Sequence, residues 1–244
     1  MDQSQAEIFT QILSERRSVR IFDESTPYDE DAVKRSLHAA TLAPNSSNMQ
    51  LWEFYRVKNP QIKAQLADYC MGQKAAKTAR ELILVVARRD LWRKRKDANL
   101  AQIRKVYKGR TDKAAKRAEA YYSSLIPKFY VKDYTGLFSL GKRIFAWSVG
   151  LFRPMLREVG DVNARISVHK SAGLAAMTLM YALKSEGLDS CPMEGFDSKR
   201  VKKLLKLPAG AEINMIIACG PGKPEGIYSE RFRVPDEEVI FTID

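Results

Sequence analysis

The 244 residues carry 41 Lys or Arg against 29 Asp or Glu, a formal charge of +12, and 45% of them are hydrophobic. Such a chain can bury a sizeable core, which excludes a disordered polymer. Three cysteines without a CxxC spacing exclude a disulfide scaffold and a zinc cluster, and the longest apolar runs, Leu82–Ala87 and Ile144–Phe152, are too short to cross a bilayer as a helix.

The first predicted element is a helix over Ala6–Arg16, where Ile8, Phe9, Ile12 and Leu13 recur at helical spacing. A second spans Asp29–Ala43, with Val33, Leu37 and Ala40 on one face, and Pro44 to Asn48 stop it. Trp52–Val57 reads as a strand, Pro60–Tyr69 as a helix, and the continuous apolar run Leu82–Ala87 as a strand buried on both faces. Asp90–Tyr122 is polar, poor in Gly and Pro, and expected to be helical; Ser123–Phe152 is aromatic and shows no single period. Ala164–Gly187 is a long apolar helix with Gly187 as its C-terminal cap. Then come a strand at Leu188–Met193, a helix Ser198–Leu205 capped by Asp197, a buried strand Ile213–Cys219 and a terminal strand at Val239–Ile243. Helices and strands mix without strict alternation or repeats. The expectation is therefore one α+β domain over residues 1–244, a sandwich with a central sheet and an excursion at about 90–163.

The charge is local. Between Arg88 and Glu119 stand thirteen Lys or Arg against four acids. Clustered cations supply most non-specific affinity for nucleic acid or an anionic membrane surface, and that is one reading of this stretch. A solvated helix face is the preferred one. Met1 to Gln5 show no basic segment leading into an apolar run, so no secretory leader is expected and the expected compartment is the cytoplasm.

Four clusters carry candidate chemistry. In Arg16-Arg17-Ser18-Val19-Arg20, three guanidinium forks and a hydroxyl suit phosphate oxygens. If extended, the segment sends Arg16, Ser18 and Arg20 to one side and Arg17 to the other. A basic helix end is the plain alternative. Pro44-Asn45-Ser46-Ser47-Asn48 and Gln50 offer paired donors and acceptors, or else form an ordinary Asx-rich turn. Pro192-Met193-Glu194-Gly195 sit where a strand ends before a helix, a place that exposes backbone N–H groups, and Gly195 admits a planar ligand. Arg231 and Arg233 form a second Arg-x-Arg pair.

Taken together, these clusters resemble the nitroreductase family of flavoenzymes. The N-terminal Arg-Arg-Ser-x-Arg, the Pro-to-Trp polar segment, Gly72-Gln73-Lys74, Glu194-Gly195-Phe196-Asp197 and the late Arg-x-Arg occur in the family's order, across about 1–90 and 165–235. Leu51 stands where the family often has proline and Asn45 where it often has serine. The resemblance implies a three-layer sandwich with a mostly antiparallel sheet, an intertwined homodimer, and FMN as cofactor with NAD(P)H as co-substrate. It further implies that Arg16, Arg17, Ser18 and Arg20 contact FMN, that Arg17, Arg231 and Arg233 hold its phosphate, and that Arg20 lies near N1 and O2 of the ring. Pro44, Asn45, Ser46 and Asn48 would come from the partner subunit, Gln73 would reach the ribityl or pyrimidine side, and Pro192, Met193, Glu194 and Gly195 would line the ring. The implied reaction moves hydride from NAD(P)H through FMN to a nitroaromatic, a quinone or a similar small molecule. No side-chain base is needed, and His38 and His169 are expected to be structural. An FMN-binding protein with little turnover is the alternative within the same fold.

Overall fold

A computed structural model describes residues 4–243. Helix α1 (Gln5–Glu15) begins where Ser4 and Glu7 cap each other reciprocally. Helix α2 (Glu30–Thr41) starts at an Asp29 cap and leads, through the polar turn 42–51, into β1 (Trp52–Val57). Asn59 caps α3 (Pro60–Tyr69), with Pro60 in the first turn, where a missing N–H costs nothing. The short α4 (Lys74–Thr78) precedes β2 (Glu81–Ala87).

The excursion then leaves the sheet. The helix expected over Asp90–Tyr122 is broken: α5 (Trp92–Val106) ends before Gly109, whose φ of 78° no ordinary helix tolerates, and α6 (Lys113–Ala120) restarts at an Asp112 cap. A π-helical turn at Tyr121–Leu125 joins α6 to α7 (Ile126–Tyr130), and α8 (Leu137–Val149) follows. The chain returns through α9 (Asp161–Ser185), β3 (Asp189–Met193), α10 (Ser198–Leu204) and β4 (Glu212–Gly220). Gly187 (φ 76°) terminates α9 and Asp197 caps α10, both as expected.

The four strands form one antiparallel sheet in the order β1-β2-β4-β3. The pleat sends alternate residues of β2 to opposite faces. Leu82, Leu84 and Val86 pack with Leu66, Ala75 and Val201 under α3, α4 and α10. Ile83 and Val85 pack with Val33, Ala40, Ala172, Leu179 and Leu183 under α2 and α9. This is the expected three-layer α+β sandwich, and full burial of β2 on both faces explains its unbroken apolar run. Each such Leu or Ile contributes about 1.5–3 kcal/mol. Two charged residues lie inside: Arg88, paired with Glu53 and Asp90, and Glu81, which is fully buried, accepts from Tyr28 Oη at 2.6 Å and is paired with Arg56.

The terminal strand expected at Val239–Ile243 is not formed. A 3-10 turn at Asp236–Glu238 is followed by backbone with no strand partner among the described residues. The apolar run there does not reach the outer edge of β1, which is paired only with β2 among the described residues, and Val239, Ile240, Phe241 and Ile243 stay exposed.

Candidate functional site

The end of α1 passes into an extended segment laid beside β3. The Val19 N–H donates to the Ser190 carbonyl at 3.1 Å, and Ser18 bridges Ser190 in parallel. On its other side the Arg20 N–H donates to the Gly226 carbonyl at 2.9 Å. A side chain at Gly226 would sit 2.7 Å from the Ile21 backbone nitrogen, so only glycine lets the two segments approach. Val19 is the anchor and is buried.

Between this segment and residues 227–233 lies a cavity of about 240 Å³ lined by Arg16, Arg17, Ser18, Arg20, Tyr228, Ser229, Glu230, Arg231 and Arg233. The expected split, with Arg17 on the opposite side from Arg16, is therefore wrong. The cavity is a cleft between two segments, not a flat face, and Arg17 turns into it to donate to the Ser229 carbonyl at 2.6 Å. Arg231 donates to the carbonyls of Ser14 at 2.9 Å and Arg16 at 2.6 Å and so holds the α1 C-terminus, whose last carbonyls lack helix partners. Arg20 lies over the Tyr228 ring, 5.2 Å from its centroid. Tyr228 escaped the sequence reading; its one signal is that it precedes the Ser229–Arg233 cluster in the same segment.

The cavity is strongly cationic, with five arginines against one carboxylate. Among the described residues none of Arg16, Arg17, Arg20, Arg231 and Arg233 is in an ion pair. Burial lowers the Arg16 pKa, and the neighbouring charges of Arg231, Arg233 and Arg17 push the same way. Cations gathered at this cost, beside a single carboxylate at Glu230, fit a dianionic phosphate. A volume near 240 Å³ takes the anionic end of a cofactor and not the whole of it.

The ring-side candidates lie further along β3. Pro192 is paired opposite Ile217, Met193 is buried, and Glu194 and Gly195 are exposed past the strand end. Gln73, the N-cap residue of α4, donates through Nε2 to the Gly195 carbonyl at 2.9 Å. The tertiary fold thus joins two motifs that lie 122 residues apart in the chain. Burial raises the Cys191 thiol pKa, partly offset by the positive charges of Arg20 and Arg16.

The polar turn is elsewhere. Pro44 is exposed, Asn45 Oδ1 accepts from the Gln50 N–H at 2.7 Å, and the Ser46 N–H donates to Ser171 Oγ at 3.2 Å. Asn48 Nδ2 donates to Asn99 Oδ1 at 3.0 Å. The polar contacts of this turn run to α9 and to the excursion, not to the arginines of the same chain. His169 is bonded to Glu212 (3.2 Å) and Asn214 (3.1 Å) on β4, as a structural histidine is expected to be.

A profile described as Nitroreductase family matches residues 13–221, taking in the first arginine cluster, the polar turn, Gln73 and the end of β3. The chain belongs to the nitroreductase family. Protein DrgA of Synechocystis sp. is 31% identical over 215 residues, 86% of this chain and 84% of its own. A nitroreductase-like protein of Streptococcus mutans has the same fold at a TM-score of 0.72 and 21% identity, over 98% of this chain and 100% of its own. A nitroreductase of Exiguobacterium sibiricum, solved in complex with FMN, gives 0.68 at 19% identity over 100% and 99%. As a nitroreductase the chain is an NAD(P)H-dependent flavin oxidoreductase with FMN as its cofactor, as the sequence motifs led us to expect.

Proposed function

We propose that the arginine cavity holds the FMN phosphate, and that the protein works as a homodimer passing hydride from NAD(P)H through FMN to an oxidised small molecule such as a nitroaromatic or a quinone. The observation that carries this reading is the set of five arginines around one cavity, none of them in an ion pair among the described residues. Arg17 and Arg233 are the phosphate arms. Arg231, whose terminal nitrogens are spent on the end of α1, keeps Arg16 in place beside them.

FMN supplies the two-electron chemistry when bound. The residues of this chain bind, orient and set charge. Arg20, exposed beside the same cleft, provides a cation to stabilise the negative charge of the reduced state. Gln73 fixes the loop at Gly195 and so directs the amides past β3. A Cβ on Gly195 would meet only Gln73 Nε2, at 3.4 Å, so the approach to this loop is open to a planar group. Asn45, Ser46 and Asn48, remote from the arginines of their own chain, would serve the site across the dimer.

The visible spectrum of the purified protein tests the reading. Flavin bands at about one FMN per chain, bleached anaerobically by NADH or NADPH, are expected. A colourless protein that takes up no added FMN overturns the cofactor assignment. A yellow protein that neither nucleotide bleaches is an FMN-binding protein without reductase turnover.

A further inference from the structure

A second cavity, of about 720 Å³, lies between α7, α8, the connection at 150–160 and the first turns of α9. That volume suits a whole small molecule. Its walls are apolar, with Phe129, Phe145, Met155, Val159 and Ile166 among them, and the turn residues Ser46 and Ser47 belong to its lining. The same lining carries three ammonium groups, Lys128, Lys142 and Lys170, against one carboxylate, Glu158. None of these four charges is in an ion pair among the described residues.

Folding alone does not account for this arrangement. Phe145 is 58% exposed and Ile166 42% exposed, so the apolar wall faces open space and not a core. Lys142 is half-buried, donates from Nζ to the Lys128 carbonyl at 3.3 Å, and has its pKa lowered by that burial; an anion beside it would offset the cost. A neutral aromatic would leave the cations unused, and a cationic ligand would meet a net positive lining.

We propose that this cavity is a binding site for a small amphiphile with an elongated apolar body and one anionic head group, the body against Phe129, Phe145 and Ile166 and the head at Lys142 with Lys128 and Lys170. The site stands on its own residues. Its link to the flavin chemistry rests on the reading that the 45–48 turn serves the FMN site across the dimer, which would set the bound amphiphile beside that site.

Calorimetric titration of the full chain, with flavin content read from its visible spectrum, tests this with decanoate, 1-decanol and decyltrimethylammonium. Decanoate is expected to bind once per chain, about 10-fold or more tighter than the cation. Replacing Lys128, Lys142 and Lys170 with Gln should weaken decanoate by about 10-fold and leave decanol unchanged. Val159→Trp, which fills the cavity, should weaken both. Equal binding of all three amphiphiles, or decanoate affinity unmoved by the lysine changes, overturns the proposal. A yellow, NADPH-bleached protein that binds no decanoate overturns this inference and leaves the oxidoreductase standing. A colourless protein that binds decanoate through the lysines does the reverse.

Discussion

Arg17 connects the two ends of the chain: its Nη2 donates to the Ser229 carbonyl 212 residues away, and its remaining N–H groups face a cavity with no paired acid. A charge-assisted hydrogen bond to phosphate contributes about 1.5–3 kcal/mol, so Arg17→Ala should raise the Kd for FMN by about 10- to 150-fold. Flavin fluorescence titration reads this, and unchanged affinity would remove Arg17 from the site. A residue of the opposite kind is Arg56, which neutralises the fully buried Glu81, to which the Tyr28 hydroxyl also donates. Removing one partner of a buried pair strands the other charge, at a cost of about 3–5 kcal/mol. Arg56→Ala should lower stability by that amount in urea unfolding, with folded-state FMN binding unchanged. A loss below about 1 kcal/mol would mean that water reaches Glu81.

At the scale of elements, the polar turn is held in a costly conformation. Ser47, Asn48 and Gln50 all have positive φ (56°, 49° and 47°), each costing on the order of 1 kcal/mol for a non-glycine residue. The excursion offsets this. Asn99 on α5 exchanges hydrogen bonds with Asn48, Tyr121 bonds Ser47 Oγ at 2.6 Å, and Tyr122 donates to the Ser47 carbonyl at 3.0 Å. Asn99→Ala removes two of these bonds. Amide exchange at 46–50 should then speed up by about 10-fold, with the sheet amides unaffected. Helix α6 depends on a different device. Arg110, then the amides of Ala115 and Ala114, hold the Asp112 carboxyl down at about 2. A folded pKa below the unfolded value of about 3.9 means that this capping contribution is complete above about pH 4 and is lost as pH falls through about 2. A carboxyl NMR titration should place Asp112 near 2, and Asp112→Asn should remove that acid step; a midpoint near 4 would contradict the cap.

For the molecule as a whole, large apolar side chains remain uncovered: Phe9 on α1, Leu174 on α9, and Phe232, Ile240 and Phe241 near the C-terminus. The homodimer proposed above would cover apolar surface of this kind. Light scattering should give twice the chain mass at micromolar concentration, and Leu174→Asp should shift the protein toward monomer and lower its flavin content together. A monomer that keeps its flavin would show that the site is complete within one chain. In the basic stretch Arg88, Arg89, Lys96, Arg104 and Arg110 are ion-paired within the chain, and the break at Gly109 separates Arg93, Lys94, Arg95 and Lys105 on α5 from Lys113, Lys116 and Arg117 on α6.

By itself the sequence determined the elements whose cause is local or periodic: the apolar β2, the Asp197 and Gly187 caps, the long α9, and the arginine and amide motifs whose order marks the family. The kinked course of 107–160 was not legible, because its breaks depend on single positions such as Gly109 and on packing against α9 and the 45–50 turn. The apolar run at 239–243 misled, because a strand needs a partner within reach and the run cannot show whether one is. Only the tertiary structure decided which motifs meet. Hydrogen bonds between residues 17 and 229, and between 73 and 195, close loops far longer than any sequence period, so their partners follow from the sheet order. Arg16–Arg20 alone reads as a basic helix end. It becomes one wall of a cationic cleft because Gly226 lets the 227–233 segment close over it and brings Arg231 and Arg233 to the same cleft.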